Sequence, residues 1–140
     1  VDESPSNCTF TGFVDDIRGA YAAGDVFCFP THEENEGIAL LEAMAAGKPL
    51  VVRDIETFSW LDDGEECLKV GSEGDGRDGA DAAAADDALG DNVAGFVSAV
   101  NELRDADRRT ELGANAAARS EAFSLDAIAD RYRSLYAELA

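Results

Sequence analysis

The stretch Glu34-Asn35-Glu36-Gly37-Ile38-Ala39-Leu40-Leu41-Glu42-Ala43-Met44-Ala45-Ala46-Gly47-Lys48-Pro49 decides how this chain folds. Two carboxylates, Glu34 and Glu42, are separated by seven residues, and between them a glycine enters a short apolar helix. Gly47-Lys48-Pro49 stops that helix, and the apolar run Leu50-Val51-Val52 follows as a strand. The N–H groups of Gly37 and Ile38 are expected where the helix begins. A helix N-terminus carries roughly half a positive charge, so a diphosphate is stabilised there. Glu42 lies about 7 Å further along the axis at ~1.5 Å per residue, within reach of a ribose. Glu34, ahead of the helix, is placed to meet a sugar beyond the phosphate. A carboxylate accepts from paired hydroxyls, which ribose and hexose both offer. The spacing suits a sugar nucleotide.

Outward from this segment, helix and strand patterns alternate. Cys8-Thr9-Phe10 reads as a short strand, and Asp15 as the cap of a helix running to Ala23. Val26 to Phe29 is a continuous apolar run ended by Pro30, as expected of a strand covered on both faces. After the motif helix and the strand Leu50 to Val52 come a helical piece around Phe58-Ser59-Trp60-Leu61 and a strand from Cys67 to Val70. Such alternation implies a parallel sheet with helices on its faces. Ligands of these sheets bind outside the carboxyl ends of strands, and the loop from Pro30 to Glu36 lies at such an end. Gly71 to Asp91 differs, with seven acids, one arginine and little beyond glycine and alanine, and reads as a solvated, mobile insertion. Its Gly74, Gly76 and Gly79 mimic a dinucleotide fingerprint, but no apolar helix is expected to open on them and the neighbouring acids repel a pyrophosphate. Beyond it, Val93, Phe96, Val97, Val100 and Leu103 form one helical stripe. Leu125, Ile128, Tyr132, Leu135 and Leu139 form another, with Ser124 as cap and Tyr132 and Tyr136 read as packing residues.

With Phe10-Thr11-Gly12-Phe13-Val14 and Ala23-Gly24-Asp25-Val26-Phe27-Cys28-Phe29-Pro30 ahead of it, the motif resembles the C-terminal, donor-binding domain of retaining GT-B glycosyltransferases, and more narrowly family 4 with its Glu-x7-Glu motif. Similarity runs from Cys8 to Val70 and returns from Phe123 to the C-terminus. One departure is Glu36, where many members carry an aromatic residue; its carboxylate must turn to solvent if a diphosphate sits at Gly37. The resemblance implies an α/β fold, a partial Rossmann-like domain with a parallel sheet and C-terminal helices. It divides into a motif-bearing part over 1–70, the acidic insertion over 71–91 and C-terminal helices over 92–140. It also implies transfer of a sugar from a nucleotide diphosphate sugar to an acceptor hydroxyl with retention and no essential metal or cofactor. Glu34 would orient the transferred sugar, Gly37 and Ile38 would donate to the diphosphate, and Glu42 would hold the ribose.

Whole members have two Rossmann-like domains, and the start of the second carries an arginine and a lysine that neutralise the diphosphate. Neither Arg18 nor Lys48 matches these. On the resemblance the chain is about two-thirds of one domain, expected to be inactive alone. The strand at Val26 to Phe29 would then expose an apolar edge open to self-association. The stretch Val52-Arg53-Asp54-Ile55-Glu56-Thr57-Phe58-Ser59-Trp60-Leu61 is similar to that of enzymes making glucosyl-diacylglycerols, which suggests a lipid acceptor. Phe58 and Trp60 themselves read as core. A non-catalytic remnant binding a nucleotide sugar or a partner protein is the alternative. A receiver-type signalling domain would need an acidic pair beside Asp54, which no earlier strand supplies.

Thirty acidic residues stand against eleven basic ones, only Lys48 and Lys69 of them lysines, for a formal charge of -19 on 140 residues. That charge argues against nucleic acid or anionic lipid as partner through a general surface field. With 46% hydrophobic residues the chain is expected to fold. A halophilic cytoplasm, as in a haloarchaeal member of the family, is the expected explanation of the acids: at molar salt the Debye length falls to ~3 Å, so self-repulsion is screened. Cys8, Cys28 and Cys67 form no metal or disulfide pattern and read as small buried thiols in a reducing compartment. No run approaches the ~20 apolar residues of a membrane span, and no signal peptide is seen, so a cytoplasmic protein is expected, with the inner membrane face as its place if the acceptor is a lipid. His32, the lone histidine, reads as a loop residue at the rim of the site.

Overall fold

The computed structural model describes residues 5–71 and 82–139, with side chains described over 5–71 and 92–139. In chain order the elements are α1 (Ile17–Ala23), β1 (Phe27–Phe29), α2 (Ile38–Ala45), β2 (Leu50–Arg53), a 3-10 turn (Glu56–Phe58), β3 (Cys67–Val70), α3 (Ala82–Glu102), α4 (Ala106–Ser120), a second 3-10 turn (Glu121–Phe123) and α5 (Leu125–Glu138). The three strands form one parallel sheet in the order β1-β2-β3, with Phe27 beside Leu50 and Leu50 beside Cys67. This is the α/β architecture expected of a partial Rossmann-like domain, with the motif helix crossing from β1 to β2.

All four residues of β2 are buried, because side chains alternate across a strand and both faces are covered. Leu50 and Val52 point into a core with Leu40, Met44, Phe58, Leu61 and Cys67. Val51 points the other way, to Leu68, Val70, Ala99, Leu103 and Leu112. Two glycines set the motif helix in place. Gly47, at φ 67, reverses the chain after α2 as a left-handed residue does past a helix end. Gly113 of α4 packs so tightly on the Gly47 carbonyl that a Cβ there would overlap it. α2 is thereby pressed between the sheet and α4.

Several expectations are corrected. Residues 8–10 join none of the three strands; the Cys8 N–H instead donates to the Pro5 carbonyl at 2.9 Å, and Phe10 is 75% exposed. A short apolar run without a ladder neighbour has no partner for its backbone groups and remains irregular. The cap of α1 is Asp16, which accepts from the Gly19 N–H at 2.9 Å, not Asp15. β1 is not covered on both faces: Cys28 is exposed between half-buried Phe27 and Phe29, and β1 is an edge of the sheet. Of the three thiols only Cys67 is buried.

Within the acidic stretch, residues 82–91 belong to α3, so that half is helical. The rest of it, with the Gly74, Gly76 and Gly79 pattern, lies outside the described residues. On α3 the buried side is Asn92 and Ala99, continued by Leu103 just past its end, with Phe96 half-buried, while Val93 and Val97 are more than half exposed. The helix turns its small Gly95 toward Val70 of β3, and close approach there rotates the valines outward. Ser124 caps α5 as expected, accepting from the Ala127 N–H at 3.2 Å. Its apolar stripe, however, is not core. Leu125, Tyr132, Leu135 and Leu139 are all exposed, and Tyr132 and Tyr136 stack on each other at 6.4 Å. Phe58 is fully buried, as its reading as core required, while Trp60 is half-buried at the edge of the core and packs on Phe123 at 4.7 Å.

Candidate functional site around the start of the motif helix

The loop from Pro30 to Gly37 carries the chain from the carboxyl end of β1 into α2. Thr31 Oγ1 donates to the Glu33 carbonyl at 2.7 Å, folding the loop on itself. Thr57 Oγ1, from the 3-10 turn after β2, donates to the Glu34 carbonyl at 2.9 Å. Glu34 is half-buried, and its Oε1 accepts the Asn35 N–H at 2.9 Å. The backbone and the carboxylate of Glu34 are therefore both held. Glu36 is exposed, so its charge can stay with solvent rather than face the helix start.

Gly37 sits at φ 78 and ψ 51, the left-handed conformation that glycine adopts without penalty. It packs on Phe58, whose ring would lie 3.0 Å from a Cβ at this position. No side chain caps α2, and the N–H groups of Ile38 and Ala39, its first two residues, have no acceptor within the helix. The Gly37 carbonyl does accept from Leu40 and Leu41, at 2.9 and 3.1 Å, which fixes the direction of that turn. Ile38 is 65% exposed, so the N-terminal end of α2 faces outward.

Glu42 lies one turn beyond Ile38 on the same side of α2, and both line a groove of ≈ 270 Å³ with Leu41, Ser120 and Phe123. Glu42 also borders a second groove of ≈ 520 Å³ with Ile17, Arg18 and Tyr21. It thus stands on the ridge between them. Its Oε2 accepts from the Tyr21 hydroxyl at 3.0 Å, and the same hydroxyl lies 3.1 Å from the Ala39 carbonyl. Burial, then the Glu42 hydrogen bond and charge, push the Tyr21 phenol up to about 12. Gly37, Ile38 and Glu42 are brought together along the first turns of α2. Glu34 is set apart on the loop before it and lines neither groove.

The largest of these cavities, ≈ 690 Å³, lies elsewhere, between the β1 rim and α3, with Cys28, Pro30, His32, Arg53, Phe96 and Val97 among its lining. It is open and mostly apolar, with His32, Arg53, Asn92 and Asn101 as its polar lining, and it lies against α3 rather than at a helix start. His32 stands exposed at its rim, as expected of a loop residue. Among the described residues no cluster of His, Cys, Asp or Glu could hold a metal ion.

Sequence reasoning missed Tyr21 and Thr57. The signal for Tyr21 was available: an aromatic hydroxyl on a short helix ahead of an acidic motif helix. The Thr57 contact joins positions 23 residues apart, and no local pattern announces it.

A parallel sheet with a helix start at a strand's carboxyl end, and a carboxylate one turn further on, is the arrangement of a Rossmann-like α/β domain, whose ligands bind at such ends. The chain belongs to the family described as Glycosyl transferases group 1, whose model matches residues 2–91. It is 40% identical over 72 residues to the processive diacylglycerol alpha-glucosyltransferase of Acholeplasma laidlawii, covering 49% of this chain and 22% of that protein. It is 33% identical over 126 residues to the D-inositol 3-phosphate glycosyltransferase of Corynebacterium jeikeium, covering 89% of this chain and 26% of that one. With the sulfoquinovosyl transferase SQD2 of Arabidopsis thaliana it shares 48% identity over 44 residues, 30% of this chain and 9% of the relative. The chain thus spans about a quarter or less of the length of these relatives.

Proposed function

We propose that these residues form the donor-binding part of a retaining GT-B glycosyltransferase of family 4, which moves a sugar from a nucleotide diphosphate sugar to an acceptor hydroxyl. The observation that carries the reading is the first turn of α2, uncapped behind the left-handed Gly37, with Glu42 one turn on and on the same side. The N–H groups of Gly37 and Ile38 bind the diphosphate, Glu42 accepts from the ribose, and Glu34 orients the sugar that is transferred. As the glycosidic bond breaks, negative charge grows on the leaving phosphate. Fixed donors at a helix start stabilise that charge more than the ground state, which is the binding that raises a rate. No metal is needed for this step.

The names of some relatives support a lipid acceptor, one naming diacylglycerol and several phosphatidyl-myo-inositol, while two others name D-inositol 3-phosphate. We propose a lipid acceptor by likeness to the former, with the inner membrane face as the proposed site of action of the whole protein. Consistent with peripheral attachment, no helix among the described residues is long and apolar enough to cross a membrane. The acidic excess is read as adaptation to a haloarchaeal cytoplasm, as the charge of -19 suggests.

The test is a pair of substitutions in the full polypeptide, titrated with uridine, guanosine and adenosine diphosphate hexoses and followed by single-turnover rates. A hydrogen bond to a charged group contributes ~1.5–3 kcal/mol, so Glu42→Gln is expected to weaken donor binding roughly ten- to over a hundred-fold. Glu34→Gln is expected to lower turnover more than binding, because a misplaced sugar reacts slowly. If both variants match the wild type, the motif is only a helix entry.

A further inference from the structure

The Tyr21 hydroxyl reaches two acceptors, Glu42 Oε2 at 3.0 Å and the Ala39 carbonyl at 3.1 Å. A phenol has one proton to give, and an ionised carboxylate is the stronger acceptor. Glu42 is exposed on the outer side of α2, where a carboxylate would otherwise explore several rotamers. The Tyr21 ring is itself held. It lies 5.8 Å from Phe27, Phe27 lies 5.7 Å from Phe29, and Phe29 lies 5.9 Å from Phe58. Phe58 is the ring on which the left-handed turn at Gly37 rests. One row of four aromatic rings therefore runs beneath α2, from the turn that starts the helix to the hydroxyl that meets Glu42.

We propose that Tyr21 is a positioning residue for the donor. By donating to Glu42 Oε2 it fixes that carboxylate and leaves Oε1 to accept from the ribose hydroxyls of a nucleoside diphosphate. The inference rests on the reading of Glu42 as the ribose ligand. Ordering a flexible side chain on binding opposes affinity, and a carboxylate already held loses less freedom when the ligand arrives. Because the aromatic row also supports Gly37, the ribose contact and the diphosphate contact keep a fixed separation.

The experiment compares the full polypeptide with its Tyr21→Phe, Glu42→Gln and double variants. The probes are uridine diphosphate and guanosine diphosphate, each beside its 2′,3′-dideoxy counterpart, with donor KM and kcat measured in parallel. Phenylalanine keeps the ring against Phe27 and removes only the hydroxyl. Tyr21→Phe is expected to weaken the ribonucleotide about three- to tenfold, to leave the dideoxy analogue unchanged, and to raise the donor KM with little change in kcat. In the Glu42→Gln background the same change is expected to add nothing. If Glu42→Gln abolishes ribose discrimination while Tyr21→Phe leaves it intact, the positioning role is overturned and the Glu42 reading stands. Equal weakening of both nucleotides by Tyr21→Phe, in either background, also overturns it, since that is a structural effect. If Glu42→Gln itself leaves ribose discrimination intact, the Glu42 reading fails and the Tyr21 role fails with it.

Discussion

Replacing Gly37 with alanine tests the link between the fold and the site at one atom. At φ 78 and ψ 51 an L-residue pays the left-handed penalty, roughly 1–2 kcal/mol. The new Cβ would also stand 3.0 Å from Phe58 Cε1, tighter than an ordinary contact, and Phe58 is fully buried with Phe29 beside it. Its ring has to shift by a few tenths of an ångström, a cost at the low end of the ~1–3 kcal/mol typical of overpacking. Reduced freedom of the unfolded chain offsets about 0.4–1 kcal/mol. The net loss is about 1–3 kcal/mol. For a chain of this size a kcal/mol corresponds to roughly 3–5 °C, so the expected fall in Tm is about 3–15 °C. The assay is a thermal melt in fixed molar KCl. Gly24→Ala is the control: its backbone, at φ -94 and ψ 147, suits any residue, and its Cβ would meet nothing closer than 3.9 Å. That variant is expected to melt at or slightly above the wild-type temperature. A Gly37→Ala protein as stable as the control would refute the left-handed, Phe58-backed entry to α2.

Gly113→Ala should also lower Tm, because the helix-propensity gain of about 1 kcal/mol is outweighed by overlap with the Gly47 carbonyl, a backbone atom that cannot turn aside; an unchanged melt would mean that α4 does not press on α2. Toward a disulfide reagent at pH 8, Cys8 should react first, Cys28 more slowly because partial burial raises its thiol, and Cys67 only on unfolding; fast labelling of Cys67 in the folded protein would contradict its burial. Burial pushes the Cys67 thiol up to about 12 from 9.0, so the stability it contributes is intact below about pH 9 and declines as the pH rises toward 12, which a melt series in alkaline buffer can follow. The midpoint of unfolding should rise from dilute buffer to molar KCl, since screening relieves a formal charge of -19; a midpoint indifferent to salt, or highest at low salt, would remove the halophilic reading.

Where a segment's partners lie close in sequence, its structure was legible. α2 and the strand after it follow from a glycine entry, an apolar helix, a Gly-Lys-Pro stop and an apolar run, all within Gly37 to Val52, and the strand Cys67–Val70 was read to the residue. Failures came where a distant neighbour decides. Cys8 to Phe10 has the composition of a strand but no strand beside it. The stripes on α3 and α5 have helical period, yet period does not say what covers them. Gly95 against Val70 turned one stripe partly outward, and the other is exposed along its length. For the site, the spacing of Glu34, Gly37 and Glu42 showed which helix to examine. It could not show that Glu42 is bonded by Tyr21, 21 residues earlier, or that Thr57 pins the loop at Glu34.

The central claim, that a nucleoside diphosphate sits on the first turn of α2, is tested most directly by amide chemical shifts. A 15N-labelled chain in molar KCl would be titrated with millimolar uridine diphosphate and, separately, guanosine diphosphate. The account predicts that for at least one of them the largest saturable shifts fall on the amides of Gly37, Ile38 and Ala39, with smaller ones around Glu42. Shifts absent from the start of α2, or gathered instead at Phe96 and Val97 along the apolar cleft, would contradict it.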